Sequence, residues 1–218
     1  MRVFVSSTIN DLAPYRQASA GVILEMGWQP VLPVEHRRVA GGPAVLRCIE
    51  QVRSCQMFIL VAGFRCGWIP TLAQGGTGTA SITEIELAAW LHHGAAHGGM
   101  APLLFIAEDG RQEIAEGESA LHRSVQTVFR EKVRNIGNWL HSFALVEQGQ
   151  AGHGEAVGSF QSLVRGQIAN VKAELADAAR WQAQQQAEQA MAAAQRARSD
   201  GFALALLALG VGYVLAKK

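Results

Sequence analysis

Four short stretches of this chain carry residue types that bind or cut small polar molecules. Ser6-Ser7-Thr8 offers three hydroxyls and the backbone N–H groups around them, a set able to hold a ribose or a phosphate. The same side chains also bond their own backbone in ordinary turns. Arg65, inside Gly63-Phe64-Arg65-Cys66-Gly67, presents a fork of donors that matches a phosphate, or pairs structurally with Glu35 or Glu84. Thr83-Glu84-Ile85-Glu86 sets two carboxylates at a helix start, where the helix dipole alone favours acidic residues in the first turn. Glu86 is expected to bind a ligand or act in catalysis, and Glu84 to cap or face solvent. Glu35 suits a salt bridge or a cap as well as it suits ligand work.

Other chemistry fades on inspection. Gly75-Gly76-Thr77-Gly78-Thr79 lacks the Lys-Ser/Thr ending of a phosphate-binding loop and reads as a plain loop. His93 and His97 have an i, i+4 spacing without the glutamate of a metalloprotease helix, so no metal site is expected. Cys66 near the same turn would need a base that the sequence does not offer. Trp68 could stack on a base, but suits a lid over the core.

The elements that must position these residues alternate. Val3–Ser6 reads as a strand, and Asp11 as the cap of a helix with Pro14 in its first turn and Gly27 at its end. Trp28–Val34 is a second strand, and Pro43 opens a helix with an apolar face at Ala44, Val45, Cys48, Ile49 and Val52. Met57–Ala62, wholly apolar, is a buried central strand. A Gly/Thr/Pro-rich loop follows to Ala80, then a helix from Ser81 or Thr83 to about His97. Pro102–Ala107 is a strand, Leu121–Asn135 a helix, and Ser142–Glu147 a fifth strand. This order predicts a mostly parallel α/β sheet with helices on both faces, because right-handed crossovers put them there. Ligands of such sheets bind beyond the carboxyl ends of the strands. Ser6–Thr8, Glu35–His36, Gly63–Gly67 and Thr83–Glu86 all fall at that edge.

VFVSSTINDL, PVLPVE, FILVAGFRCGW and SITEIELA, in this order and spacing, resemble the family catalogued as domain of unknown function 4062. The resemblance covers residues 1–110 well and reaches loosely to about 170. It implies a fold similar to Toll/interleukin-receptor domains and nucleoside deoxyribosyltransferases, a flavodoxin-like five-stranded arrangement. Thr83-Glu84-Ile85-Glu86-Leu87 resembles the step at which the deoxyribosyltransferases carry their catalytic glutamate, which implies that role for Glu86. Cleavage of an N-glycosidic bond passes through an oxocarbenium-like state that a carboxylate stabilises or traps. Nicotinamide would leave neutral and need no second acid. The resemblance thus implies an effector of signalling or bacterial defence, possible as a hydrolase of NAD or a related nucleotide. In that reading NAD is a substrate and no cofactor is needed. Ser6, Ser7, Thr8, Glu35, Gly63, Arg65 and Thr83 would line the ligand site. A non-catalytic nucleotide sensor or adaptor, and a purely structural assembly protein, stay open beside it.

Composition sets the bounds. The chain has 218 residues, 49% hydrophobic and 17% charged, enough for one ordinary domain and an appendage. A net charge of +1 argues against nucleic acid as a partner. Three cysteines without a CxxC pair fit reduced thiols, and no signal peptide is visible. The expected organisation is an α/β domain at 1–150, a helix packing on it at 151–176, an Ala/Gln-rich stalk at 177–200 and a hydrophobic helix at 201–216. Sixteen uncharged residues make about 24 Å of helix, short of a ~30 Å bilayer core. Flanking basic residues would anchor it. The expectation is a cytoplasmic domain tethered to the inner membrane and clustered as a homo-oligomer. A helix packing on a second copy or on a partner protein of a defence or signalling system is the competing reading.

Overall fold

The computed structural model describes residues 1–33, 44–93, 100–110, 115, 117–137 and 140–215, with side chains described as far as residue 196. Glu35 lies outside the described residues, as do His97 and the start expected for the second helix at Pro43. Five strands form one sheet: β1 (Arg2–Ser7), β2 (Gln29–Val31), β3 (Met57–Ala62), β4 (Leu103–Ala107) and β5 (Leu140–Phe143). The order is β2-β1-β3-β4-β5, and every pair is parallel. Between the strands run α1 (Ala13–Glu25), α2 (Ala44–Arg53), α3 (Ile82–His93) and α4 (Ala120–Arg134), with α5 (His153–Leu215) following. The chain is therefore an α/β protein with a parallel five-stranded sheet and a long C-terminal helix.

Strand alternation divides the core between two faces. Phe4, Phe58, Leu60, Leu104 and Ile106 point to one side, where they pack with Val52 of α2, Leu87 and Trp90 of α3, and Phe129 and Val133 of α4. On the other side Tyr15 of α1 and Phe160 of α5 meet each other and Phe143, and Phe160 also meets Phe105. β3 is buried along its whole length, as six consecutive apolar residues require of a central strand.

Three boundaries differ from the sequence reading. Asp11 does not cap α1: Leu12 holds the N-cap position and makes no side-chain cap bond. The Asp11 carboxylate instead accepts a hydrogen bond from Thr8 Oγ1 at 2.5 Å. β2 is only three residues long. β5 begins earlier than the apolar alternation suggests and ends at Phe143, because Tyr15 takes over beyond it. Its hydroxyl bonds the carbonyls of Ala144 and Val146 and accepts from the Val146 N–H, which replaces a sheet ladder.

The chain separates into two compact units, Met1–Ala169 and Asn170–Lys218. In the first, Phe160, Val164 and Ile168 of α5 are buried. In the second, residues 172–196 are exposed apart from a half-buried Gln185, and Leu175, Trp181 and Met191 face solvent. Such a stretch is helical by propensity and buries little. Among the described residues no helix is long and apolar enough to cross a membrane. The side chains of the 201–216 segment lie outside that description.

Candidate functional site

The strand order reverses direction between β1 and β3, so the crevice at their carboxyl ends is the natural ligand position. Ser6 and Ser7 end β1 opposite Leu60 and Val61 of β3. Alternation sends Ser6 toward α3 and Ser7 toward the opposite face. Ser6 is fully buried and donates its hydroxyl to Glu86 Oε2 at 2.6 Å. Ser7 is buried with no partner for its Oγ. Thr8, one step beyond the strand, serves Asp11.

Ser81 Oγ accepts the Glu84 N–H and starts α3. Glu84 lies in the first turn and pairs with Lys132 at 2.6 Å, so it is a structural carboxylate. Glu86 stands two residues further on, in the second turn, and is only 2% exposed. The reading of Glu86 as a first-turn glutamate favoured by the helix dipole is thereby corrected. Burial pushes its carboxyl up to about 7, while the Ser6 hydroxyl, the Arg16 charge and the Cys48 thiol hold it down. A carboxyl that titrates near neutrality in a strand-end crevice is suited to proton or charge work. Thr83, three residues before Glu86, is buried and its Oγ1 has no partner.

Three contributors escaped the sequence reading. Arg16 of α1 is 7% exposed; its Nη2 donates to the Pro33 carbonyl at 2.6 Å and its Nη1 has no partner among the described residues. Burial pulls the Arg16 guanidinium down and the Glu86 charge pulls it up. The signal was present: Leu12, Arg16, Ser19 and Ile23 share one helical face, and the other three are buried. Cys48 of α2 reads as an apolar core residue, yet its thiol feels Glu86; burial and then the Glu86 charge push it up to about 12. Asp11 reads as a cap. Burial raises its carboxyl, opposed by the Thr8 hydroxyl, its own backbone and Arg65.

Gly63 and Arg65 sit beside Asp11, not beside Glu86. A Cβ on Gly63 would lie 2.9 Å from Asp11 Oδ2, so a larger residue there would push the carboxylate aside. Arg65 is half-buried, and its charge acts on Asp11; the pairing expected with Glu35 lies outside the described residues. The Cys66 thiol is pushed up to about 12 by burial and then by Glu118 and Glu84, which removes it as a nucleophile. Trp68 is half-buried, and its carbonyl accepts the Ile82 N–H ahead of α3. The glycine loop is structural too: a Cβ on Gly76 would meet the Pro70 carbonyl at 2.3 Å.

A separate cleft of about 380 Å³ opens on the α4 side, lined by Phe64, Arg123, Gln126, Arg130 and Arg134. Its inner residues serve the frame. Arg130 donates to the Gly63 and Ala107 carbonyls and to Asp109, and Gln126 to the Gly63 carbonyl. Among the described residues no group of three His, Cys, Asp or Glu is arranged to hold a metal.

The family profile described as domain of unknown function (DUF4062) matches residues 2–151. No curated protein matches the chain. Among solved structures, the CMP N-glycosidase BcmB of Clostridium botulinum is 16% identical, over 75% of this chain and 99% of that one, with a TM-score of 0.33. So distant a likeness carries no argument about chemistry.

Proposed function

The chain belongs to the family of domains of unknown function catalogued as DUF4062, and we propose that it hydrolyses the N-glycosidic bond of NAD or a related nucleotide, with Glu86 as the working carboxylate. The observation that carries this reading is the buried Glu86, fixed by Ser6 at the strand-reversal crevice. As the bond to the base breaks, positive charge grows on the sugar. An anion held in a low-dielectric site then gains strength where the charge develops. Glu86 either stabilises that cation until water adds or forms a glycosyl ester that water opens. Ser6 holds Oε2, which fixes the rotamer. A positively charged nicotinamide nucleotide would favour the ionised carboxylate over the protonated one.

A second reading has its own observation. Glu86 is 2% exposed, which suits a closed sensing or adaptor domain as well as an enzyme. Incubating the protein with NAD at high protein concentration, while following free nicotinamide and free bases from other nucleotides, separates the two. Base release that disappears in Glu86→Gln supports the hydrolase. Saturable nucleotide binding without release supports the sensor.

The exposed Ala/Gln-rich part of α5 supports self-association of copies, which would make activity depend on assembly. The uncharged 201–216 stretch supports a tether to the inner face of a membrane, with the α/β domain in the cytoplasm. Co-sedimentation of the full chain with vesicles of anionic lipid tests the tether; a chain left in the supernatant removes it.

A further inference from the structure

Resting on the nucleotide reading of this same crevice, we infer that Arg16 and Thr83 are its sugar-hydroxyl contacts, so that the ligand is a ribonucleotide in preference to its 2′-deoxy counterpart. Both side chains are more than nine-tenths buried, and each ends in a polar atom with no partner among the described residues, Arg16 Nη1 and Thr83 Oγ1. Buried donors are seldom left unmet, because each costs the desolvation of a group that water would have satisfied. Thr83 precedes Glu86 by three residues and so shares its helical face, and the Arg16 charge lowers the Glu86 carboxyl.

The chemistry of the missing partner follows from what faces it. A phosphate beside Arg16 would meet the negative Glu86, and an amine beside Glu86 would meet the positive Arg16. A neutral hydroxyl suits both, since it accepts from a guanidinium and donates to a carboxylate. Glu86 Oε2 already accepts from Ser6. Arg16 is pinned through Nη2 to the Pro33 carbonyl at 2.6 Å, which presents Nη1 without further rotamer cost. Thr83 can both donate and accept, so two neighbouring hydroxyls, one on Arg16 and Glu86 and one on Thr83, complete the set. A ribose 2′,3′-diol offers two such hydroxyls on adjacent carbons.

The test uses the full chain carrying Glu86→Gln, which separates binding from turnover. Calorimetric titration with the four ribonucleoside 5′-monophosphates, NAD, and the 2′-deoxy monophosphates should give a ribo preference of about tenfold or more for whichever base binds. Adding Arg16→Met or Thr83→Val should bring that ratio towards one with little change in deoxynucleotide affinity. Thr83→Val is isosteric and Arg16→Lys keeps the charge, so these two carry the test if Arg16→Met does not fold. Equal ribo and deoxy affinities, or a ratio untouched by Thr83→Val and Arg16→Lys, overturn the inference. If ribo and deoxy forms bind equally and the unmodified protein still releases base from them, the hydrolase reading survives without it. If no nucleotide binds, both fall.

Discussion

The hydroxyl of Ser6 donates to the carboxylate of Glu86 at 2.6 Å across 80 residues of sequence, and the contact is fully buried. It joins the end of β1 to the second turn of α3 and lowers the Glu86 carboxyl against the larger upward push of burial.

Replacing Glu86 by Gln should abolish base release while the chain stays folded. Gln keeps the volume and an oxygen for the Ser6 hydroxyl, so only the ionisable group is lost. Rates at saturating NAD, with circular dichroism as the folding control, check this. Unchanged turnover would remove Glu86 from the chemistry.

The same substitution should change how stability depends on pH. The folded-state value of Glu86, about 7, lies above its ordinary value of 4.5. Between those values the unfolded chain has released the proton and the native chain retains it. Stability therefore falls as pH rises through this window, by ~3 kcal/mol for a shift of this size. Urea unfolding at pH 4.5, 6 and 8 should show that decline in the parent chain and a flatter course in Glu86→Gln. Parallel curves for the two would contradict the raised value.

Ser6→Ala removes the donor that holds the Glu86 carboxyl down. The acidic limb of the rate–pH profile should move to higher pH, and the chain should lose about 1–3 kcal/mol of stability as a buried acceptor goes unmet. A profile that stays in place would mean that Ser6 is only packing.

Gly63→Ala pushes a methyl into Asp11 Oδ2 and against the Leu12 side chain, 3.4 Å away. The expected cost is about 1–3 kcal/mol, as for other overpacked sites, with the Asp11–Thr8 contact broken. Thermal unfolding of this variant against Gly21→Ala, whose added Cβ meets nothing nearer than 4.0 Å, isolates the crowding.

Truncation near residue 176 should lower the number of copies per particle, read by light scattering at high protein concentration as measured mass over chain mass. A ratio of one for both chains would reduce that stretch to a spacer.

Much of the frame was legible because its signals are local. Met57–Ala62 is apolar at every position, and only a central parallel strand buries both faces that way. The start of α3 at Ser81 and the loop after β3 follow from capping and glycine chemistry. Ser6, Thr83 and Glu86 were named from short motifs, and the fold brings the Ser6 hydroxyl onto the Glu86 carboxylate. The partners of Glu86 were not legible. Cys48 looks like any apolar helix residue, and Arg16 takes its meaning from the Pro33 carbonyl, which only the folded β2–β1 pairing brings within reach. Asp11 misled because a carboxylate just before a helix is usually a cap, whereas here the hydroxyl of Thr8 and the close approach of Gly63 claim it.

The loop between β3 and α3 also divides the crevice in sequence. Ser6, Asp11, Arg16 and Cys48 precede it, and Thr83 and Glu86 follow. A chain nicked within Gly75–Gly78 would leave β1, β2 and β3 on one fragment and α3 with β4 and β5 on the other. Neither piece alone could present Glu86 to Ser6. Two inert halves expressed separately would thus regain the crevice only by finding each other, which makes this domain a candidate for a split reporter of proximity.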